Sequence, residues 1–339
     1  MEEITTSAGL MELRPIWNEI EAAGEPINPF LSWDWQWTWW EAFGGGRRLR
    51  CLVVADDREV IGILPLQAPA ASDPTWSWVG GTDLSDHLGF LFRPGRADEV
   101  ASRGLDHLLA SGSEAGRMPQ LDLHYLLDES PGLKALREAA ATRALPSDLT
   151  QEEVSPQVSL TGDFEGYLTG QLNKKDRHEL RRKLRRLDLE SPGWSMVTGA
   201  ELGLEAALDA FFPLLQASGA HKVEFLTSET EQFIRTACRR LDERGWLRLQ
   251  FLSLSGELSA ATLGFTVSGI WHLYNSGYRP EFGALSPGLL CVAEGIRTAL
   301  AEGCHSADFL RGSEAYKYHL GAVDRALWRF ELAPAPSQS

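Results

Sequence analysis

Asp308-Phe-Leu-Arg-Gly-Ser-Glu-Ala-Tyr-Lys-Tyr-His-Leu-Gly321, read with Leu285-Ser-Pro-Gly-Leu-Leu290 shortly before it, decides the fold of this chain. The later stretch leaves a short apolar strand at Phe309 and Leu310 and turns at Gly312. It then crowds Glu314, Tyr316, Lys317, Tyr318 and His319 onto one turn and helix. The earlier stretch opens a helix, with Ser286 as polar cap, Pro287 in the first turn and Gly288 where a ligand can approach the backbone. Reactive side chains just past a buried strand are the mark of an α/β sheet that holds them rigidly beside a crevice.

The half of the chain that ends there has a readable order. Helical periodicity covers 164–187, 202–217 and 229–245. Two β-rich runs, 247–254 and 258–267, flank Ser255-Gly256, a hairpin turn signal. A strand at 271–278, a helix at 287–303, a strand at 307–310 and a last strand at 328–332 complete the series. The first half repeats the types: helices at 10–23 and from the Asn28-Pro29 cap through Phe43, then a hairpin of 50–55 and 60–67. Strands near 76–79 and 88–92, a helix at 100–111, a strand at 120–126 and a helix at 133–143 follow. Two such rounds predict a duplication, with domains at 1–150 and 151–333 joined in a Ser-, Thr-, Pro- and Gly-rich stretch near 146–162. Residues 334–339 read as a disordered tail.

Ser286-Pro-Gly-Leu-Leu290 and Ala307-Asp-Phe-Leu-Arg-Gly-Ser-Glu-Ala-Tyr-Lys317 resemble the C-terminal signature of GNAT-fold acyltransferases. The branch they resemble is the cellulose-biosynthesis-associated (CelD-like) acetyltransferases, related to the Fem-type aminoacyl ligases. Asn28-Pro-Phe-Leu-Ser-Trp-Asp-Trp35 and the basic segment near Arg181 fit the same branch. The resemblance implies an α/β protein of tandem GNAT folds, each a mixed central sheet flanked by helices. It implies a degenerate first copy and an acyl-CoA site in the second. Acetyl-CoA or another acyl-CoA would be the co-substrate, with no metal. The acceptor would be an amine or hydroxyl on a small molecule, a sugar or a cell-envelope precursor, attacking the thioester directly.

Site residues follow from residues and resemblance together. Ser286, Pro287, Gly288, Leu289 and Leu290 open a helix whose free N–H groups and dipole suit a pyrophosphate, with Tyr278 at the end of the preceding strand beside them. The family loop usually has a Q/R-x-x-G-x-G/A character, whereas Ala284-Leu-Ser-Pro-Gly288 keeps one glycine and no basic residue. Recognition would then rest on amides. Tyr316 lies where the family carries the acid that protonates the departing thiolate. Glu314 or Asp308 is the expected base, and Lys317 the partner of an oxyanion or phosphate. The alternative for these groups is a hydrogen-bond network knitting the turn to the sheet, and for Asp308 with Arg311 it is preferred. His272 and Asn275, polar positions on the strand before the helix, are assigned to the acceptor.

Lys174 to Arg186 holds eight Lys or Arg against two acids, a local +6 in a chain of net charge −15. Leu180, Leu184 and Leu187 form its buried stripe. Arg181, Arg182 and Arg185 are the candidates for CoA phosphates or an anionic acceptor, because guanidinium groups bind phosphate bidentately. A solvated helix face is the alternative. Trp33, Trp37 and Trp40 at helical spacing read as core, with a carbohydrate platform as the alternative.

The strongly acidic remainder excludes broad nucleic-acid binding. No apolar run approaches the ~20 residues of a membrane span. The acidic start Met1-Glu-Glu-Ile4 lacks a secretory pattern, and four scattered cysteines read as reduced thiols, so a cytoplasmic protein is expected. No Ser-His-Asp order, metal motif or Walker loop is visible. Two other functions stay open: a Fem-like aminoacyl-tRNA-dependent ligase, and a non-catalytic GNAT-fold assembly protein of polysaccharide biosynthesis.

Overall fold

Central strands buried on both faces build two mixed sheets flanked by helices in a computed structural model that describes residues 1–24, 28–70, 73–114, 120–128 and 130–332. The expected tail at 334–339 lies outside the described residues. The chain divides into two units, one of Met1–Val154 with the chain from Arg325 onward, the other Ser155–Asp324. Among the described residues no helix is long and apolar enough to cross a membrane.

The first unit contributes β1 (Glu2–Ile4), β2 (Arg48–Ala55), β3 (Val60–Ala68), β4 (Thr75–Trp78), β5 (Leu91–Phe92), β6 (Gln120–Leu127) and β7 (Ser147–Val154). The second contributes β8 (Gln157–Ser159), β9 (Ser195–Thr198), β10 (Leu247–Leu254), β11 (Glu257–Val267), β12 (Ile270–Tyr278) and β13 (Ser306–Asp308). The last strand, β14 (Ala326–Leu332), returns to the first unit. The first sheet runs β1-β2-β3-β4-β6-β14-β7 with β5 on β3, and the second runs β8-β13-β12-β11-β10-β9. Each sheet has one parallel pair among the described strands, β4 with β6 and β12 with β13.

β14 corrects the expected boundary at 333. It inserts antiparallel between β6 and β7. Phe330 and Leu332 are buried in the first core with Leu121 and Leu123 of β6. Strand pairing is non-local, so periodicity tells that 328–332 is a strand but not which sheet it completes. The expected linker at 146–162 is likewise two strands. β7 is exposed along most of its length, as an edge strand can be, and its polar residues read as a loop.

The helix expected over 164–187 is two helices, Phe164–Gln171 and Lys174–Glu190. Asn173 has extended backbone and its Oδ1 accepts from Asp176 N at 3.0 Å, so it caps the second. The Trp-rich helix Trp33–Phe43 begins under Ser32, whose Oγ accepts from Trp35 N at 3.2 Å. Trp33 stacks on Trp37 at 5.5 Å, and the Trp35 indole donates to Ser85 Oγ at 2.9 Å. These rings are core. In the second unit the helices Leu204–Ala217 and Pro287–Ala301 both pack on β11 and β12. The first comes so close that a Cβ at Gly277 would lie 2.4 Å from the backbone of Leu214. That strand position requires glycine.

Candidate active site

The candidate site lies where β12 outruns its parallel neighbour. β12 and β13 pair only over Ile270–His272 and Ser306–Asp308, while β12 continues to Tyr278 and stays paired with β11 on its other side. Beyond His272, the β13 side of β12 has no ladder partner among the described strands. Its backbone N–H and C=O groups there make no ladder hydrogen bond on that side. A bulge between Leu263 and Gly264 skips Tyr274 in the register and re-aims the strand at this point.

The Pro287–Ala301 helix starts at the far end of that edge. Ser286 takes left-handed backbone (φ 55, ψ 48) and does not cap the helix with its side chain. Instead its Oγ accepts from Lys183 Nζ at 2.6 Å. The first intrahelical amide bond is Leu290 N to Ser286 O at 3.1 Å. The amides of Gly288 and Leu289 are thus uncommitted among the described residues, and Pro287 has none to offer. Arg186 Nη1 also reaches Ala284 O, at 3.0 Å. Arg186 is also paired with Glu190 at 2.6 Å and Lys183 stands 3.6 Å from Glu179, so the positive character of the helix start comes from its dipole and the Lys183 ammonium beside Ser286. A Cβ at Gly288 would lie 3.0 Å from Tyr278 Cδ1, so the bare glycine lets the helix start sit on the Tyr278 ring. Leu290 and Pro287 are buried, and Leu289 and Tyr278 are partly buried against the same core.

Past β13 the chain makes a turn with left-handed backbone at Leu310 (φ 56) and Gly312 (φ 108). Lys317, 2% exposed, reaches back into it. Its Nζ donates to the carbonyls of Leu310 at 3.1 Å, Arg311 at 2.8 Å and Gly312 at 2.9 Å, and pairs with Glu314 Oε2 at 2.9 Å. All its donors are committed, so the expected oxyanion or phosphate partner is a clamp on the turn. Asp308 is also internal. Its Oδ1 accepts from Ser155 Oγ at 3.0 Å and Leu310 N at 2.9 Å, and Oδ2 stands 3.9 Å from His272 Nδ1. At 2% and 4% exposure, Asp308 and His272 lie in the sheet interior and not on an acceptor surface.

The clamped turn carries Glu314 and Tyr316, and Asn275 stands on β12. The Tyr316 ring packs edge-on against Phe309 at 6.3 Å, and its hydroxyl has no hydrogen-bond partner among the described residues. Burial, reinforced by the nearby Glu314 charge, pushes the Tyr316 phenol well above its ordinary range. Partial burial would raise the Glu314 carboxyl, but Lys317 and the charge of Lys222 outweigh it and hold the group below the usual carboxylate range. Lys222 in turn donates to Asn275 Oδ1 at 2.6 Å. Asn275, Lys222, Glu314 and Tyr316 therefore form one electrostatic neighbourhood.

The basic helix does flank the helix start, but through other residues than those expected. Arg181 pairs with Glu165, and Arg182 grips Glu179 with two bonds of 2.8 and 2.7 Å. Arg185 is exposed, with no partner among the described residues. Lys183 and Arg186 make the contacts. Lys183 lies three residues from Leu180 and four from Leu187, beside the buried stripe, which is the signal that could have singled it out. Lys222 had no such signal. All four cysteines are buried and unpaired, and burial pushes the Cys291 thiol up to about 12. No exposed thiol is therefore available for an acyl-enzyme among the described residues. No group of His, Cys, Asp and Glu suited to a metal ion occurs among them either.

Residues 174–318, from the basic helix through the Tyr316 turn, match a family model described as an acetyltransferase (GNAT) domain. Solved structures extend the likeness over the whole chain. FemX is 12% identical over 98% of each chain, with a TM-score of 0.63. The C-terminal domain of a putative lysylphosphatidylglycerol synthetase from Agrobacterium fabrum is 10% identical over 97% of this chain and 93% of its own, at 0.57. A tandem GNAT protein from the clavulanic acid biosynthesis pathway is 17% identical over 98% and 99%, at 0.51. No curated protein matches the sequence. At these identities the likeness gives the fold, a tandem GNAT fold of two mixed sheets flanked by helices.

Proposed function

We propose that the second unit transfers an acyl group from an acyl-CoA to an amine or hydroxyl acceptor. The observation that carries this reading is the open edge of β12 leading to a helix start whose amides are uncommitted and whose Ser286 is held by Lys183. Adenine-nucleotide phosphates would lie on the amides of Gly288 and Leu289, and the pantetheine arm along β12. The acceptor would approach Asn275 and Glu314. Its nitrogen or oxygen attacks the thioester carbonyl, with backbone N–H groups of the β12 edge facing the developing oxyanion. As the C–S bond breaks, Tyr316 gives its proton to the thiolate, while the acceptor's proton passes to Glu314 or through water to solvent. Asp308, His272 and Lys317 position the turn. The CelD-like branch, and with it a sugar or envelope-precursor acceptor, rests on the sequence resemblance alone.

The test is release of free CoA from acetyl-CoA, read as thiol, against a panel of amines and alcohols. Its pH profile follows from the two shifted groups. Glu314, held low, is already ionised above its ordinary value near ~4.3, so it adds no inflection between about pH 5 and 8. Tyr316, held high, stays protonated past its ordinary value of ~10 and gives no alkaline fall below it. With an amine acceptor kcat/KM should therefore rise with pH as the amine loses its proton, and flatten. A bell centred near neutrality would put other groups in these roles. A Fem-like reading, supported by the FemX likeness and the basic helix, predicts instead no thiol release and binding of aminoacyl-tRNA that weakens steeply with salt. Absence of any donor binding would leave the assembly-protein reading.

A further inference from the structure

The first unit carries a cavity on the polar face of its sheet. Alternation along β6 sends Leu121 and Leu123 into the core and Asp122 and His124 to the opposite face. Ser77 on β4 and Gln67 on β3 stand in register on that same face. With Trp39 and Phe43 from the Trp-rich helix and the Gly81–Asp83 loop they line a cavity of about 270 Å³.

Its chemistry is specific. Asp122 is held by Arg329 Nε and Nη2 at 2.7 and 3.0 Å and by His124 Nε2 at 3.0 Å, and His124 Nδ1 faces Glu152 at 2.6 Å. Burial alone would lower the His124 pKa, but the two carboxylates override it and push the ring up to about 9, so it is charged at neutral pH. Behind the cavity the two cations meet three carboxylates, because Arg329 also pairs with Glu331 at 3.0 Å. Arg47 and Asp83 add one charge of each sign at the rim. Arg47 Nη1 donates to Gln67 Oε1 at 3.0 Å and Gln67 Nε2 to Ser77 Oγ at 2.6 Å, which fixes the row. The lining itself sets Arg47 and His124 against Asp83 and Asp122, so it carries both signs in equal number. Trp78 lines the cavity from β4, but its ring turns to the core face of the sheet and stacks on Phe90 at 6.3 Å. Trp39 is pressed against Gly81 (φ 64), where a Cβ would lie 2.6 Å from the indole nitrogen. Only glycine fits there.

An ionic ligand would meet an opposing charge wherever it found a matching one. An apolar ligand would strip water from Asp122 and His124 without replacing its hydrogen bonds, an unfavourable exchange. We propose that this cavity binds a neutral polyhydroxylated ring, a sugar or cyclitol, with its C–H face on Trp39 and Phe43 and its hydroxyls on Asp83 and Asp122. Amphipathic aromatic rings suit such a ligand because they bury C–H surface and leave hydroxyls to the polar groups.

The proposal does not rest on the acyl-CoA reading, and its test is run without CoA. Saturation-transfer NMR on the full chain, with methyl glucoside, N-acetylglucosamine and myo-inositol at about 10 mM, should detect binding of at least one. Glucuronate and cyclohexanol, the ionic and apolar controls, should not bind. Asp83 is exposed and without a partner among the described residues, so Asp83→Ala should leave unfolding unchanged yet weaken binding by about tenfold or more. Trp39→Leu should abolish it, and Lys183→Gln should leave it intact. Silence from all three neutral rings, equal binding of either control, or undiminished binding in a folded Asp83→Ala would overturn the proposal.

Discussion

Lys317→Met is expected to lower the stability of the second unit by about 3–5 kcal/mol, seen as a fall of roughly 10 °C in its calorimetric transition. The methionine fills the same volume but donates nothing. Three carbonyls, of Leu310, Arg311 and Gly312, lose their shared donor in a turn that is partly closed to water. An unsatisfied buried acceptor typically costs ~1–3 kcal/mol, and access of water to the outer two keeps the sum at the lower end. Lys317→Arg should not rescue, because a planar fork cannot point three donors at carbonyls gathered round one atom. Activity should fall as well, since the turn carries Tyr316. An unchanged transition would mean that the clamp is not what holds the turn.

Tyr316→Phe should do the reverse: keep the fold and lose the chemistry. The ring packs against Phe309, and that packing survives the substitution. The hydroxyl makes no hydrogen bond within the described structure, so removing it should shift the melting temperature little. Loss of a general acid typically costs ~10²–10⁴-fold in rate, so kcat should drop within that range while affinity for CoA is kept. Turnover measured on both variants separates the clamp from the acid. A folded Tyr316→Phe with parental kcat would remove the phenol from the mechanism.

Local signals were legible in the sequence and non-local ones were not. Ser255-Gly256 marks the β10–β11 hairpin because both residues take the left-handed backbone such a turn needs. Ser286-Pro-Gly288 marks a helix start, and Glu314, Tyr316 and Lys317 were found by their crowding. Lys317 nevertheless turned inward, because left-handed Leu310 and Gly312 aim three carbonyls at one point, a geometry that no spacing rule conveys. Arg181 looked unneutralised because its partner Glu165 sits on another helix. β14 read as part of the second domain because the sequence does not state which sheet a terminal strand will close. Lys183 stood out from its basic neighbours only once Ser286 was seen beside it.

The central claim is that the Pro287–Ala301 helix start and the β12 edge form the donor site, and titration calorimetry with CoA tests it most directly. The parent protein should bind CoA in the micromolar range, with heat of binding that shrinks as salt rises because the contact is with phosphate. Lys183→Gln removes one ammonium from beside the helix start and leaves a shorter, neutral polar side chain. It should weaken binding by about tenfold without altering the unfolding transition. No measurable heat with the parent, or identical affinity in a folded Lys183→Gln, would contradict the account.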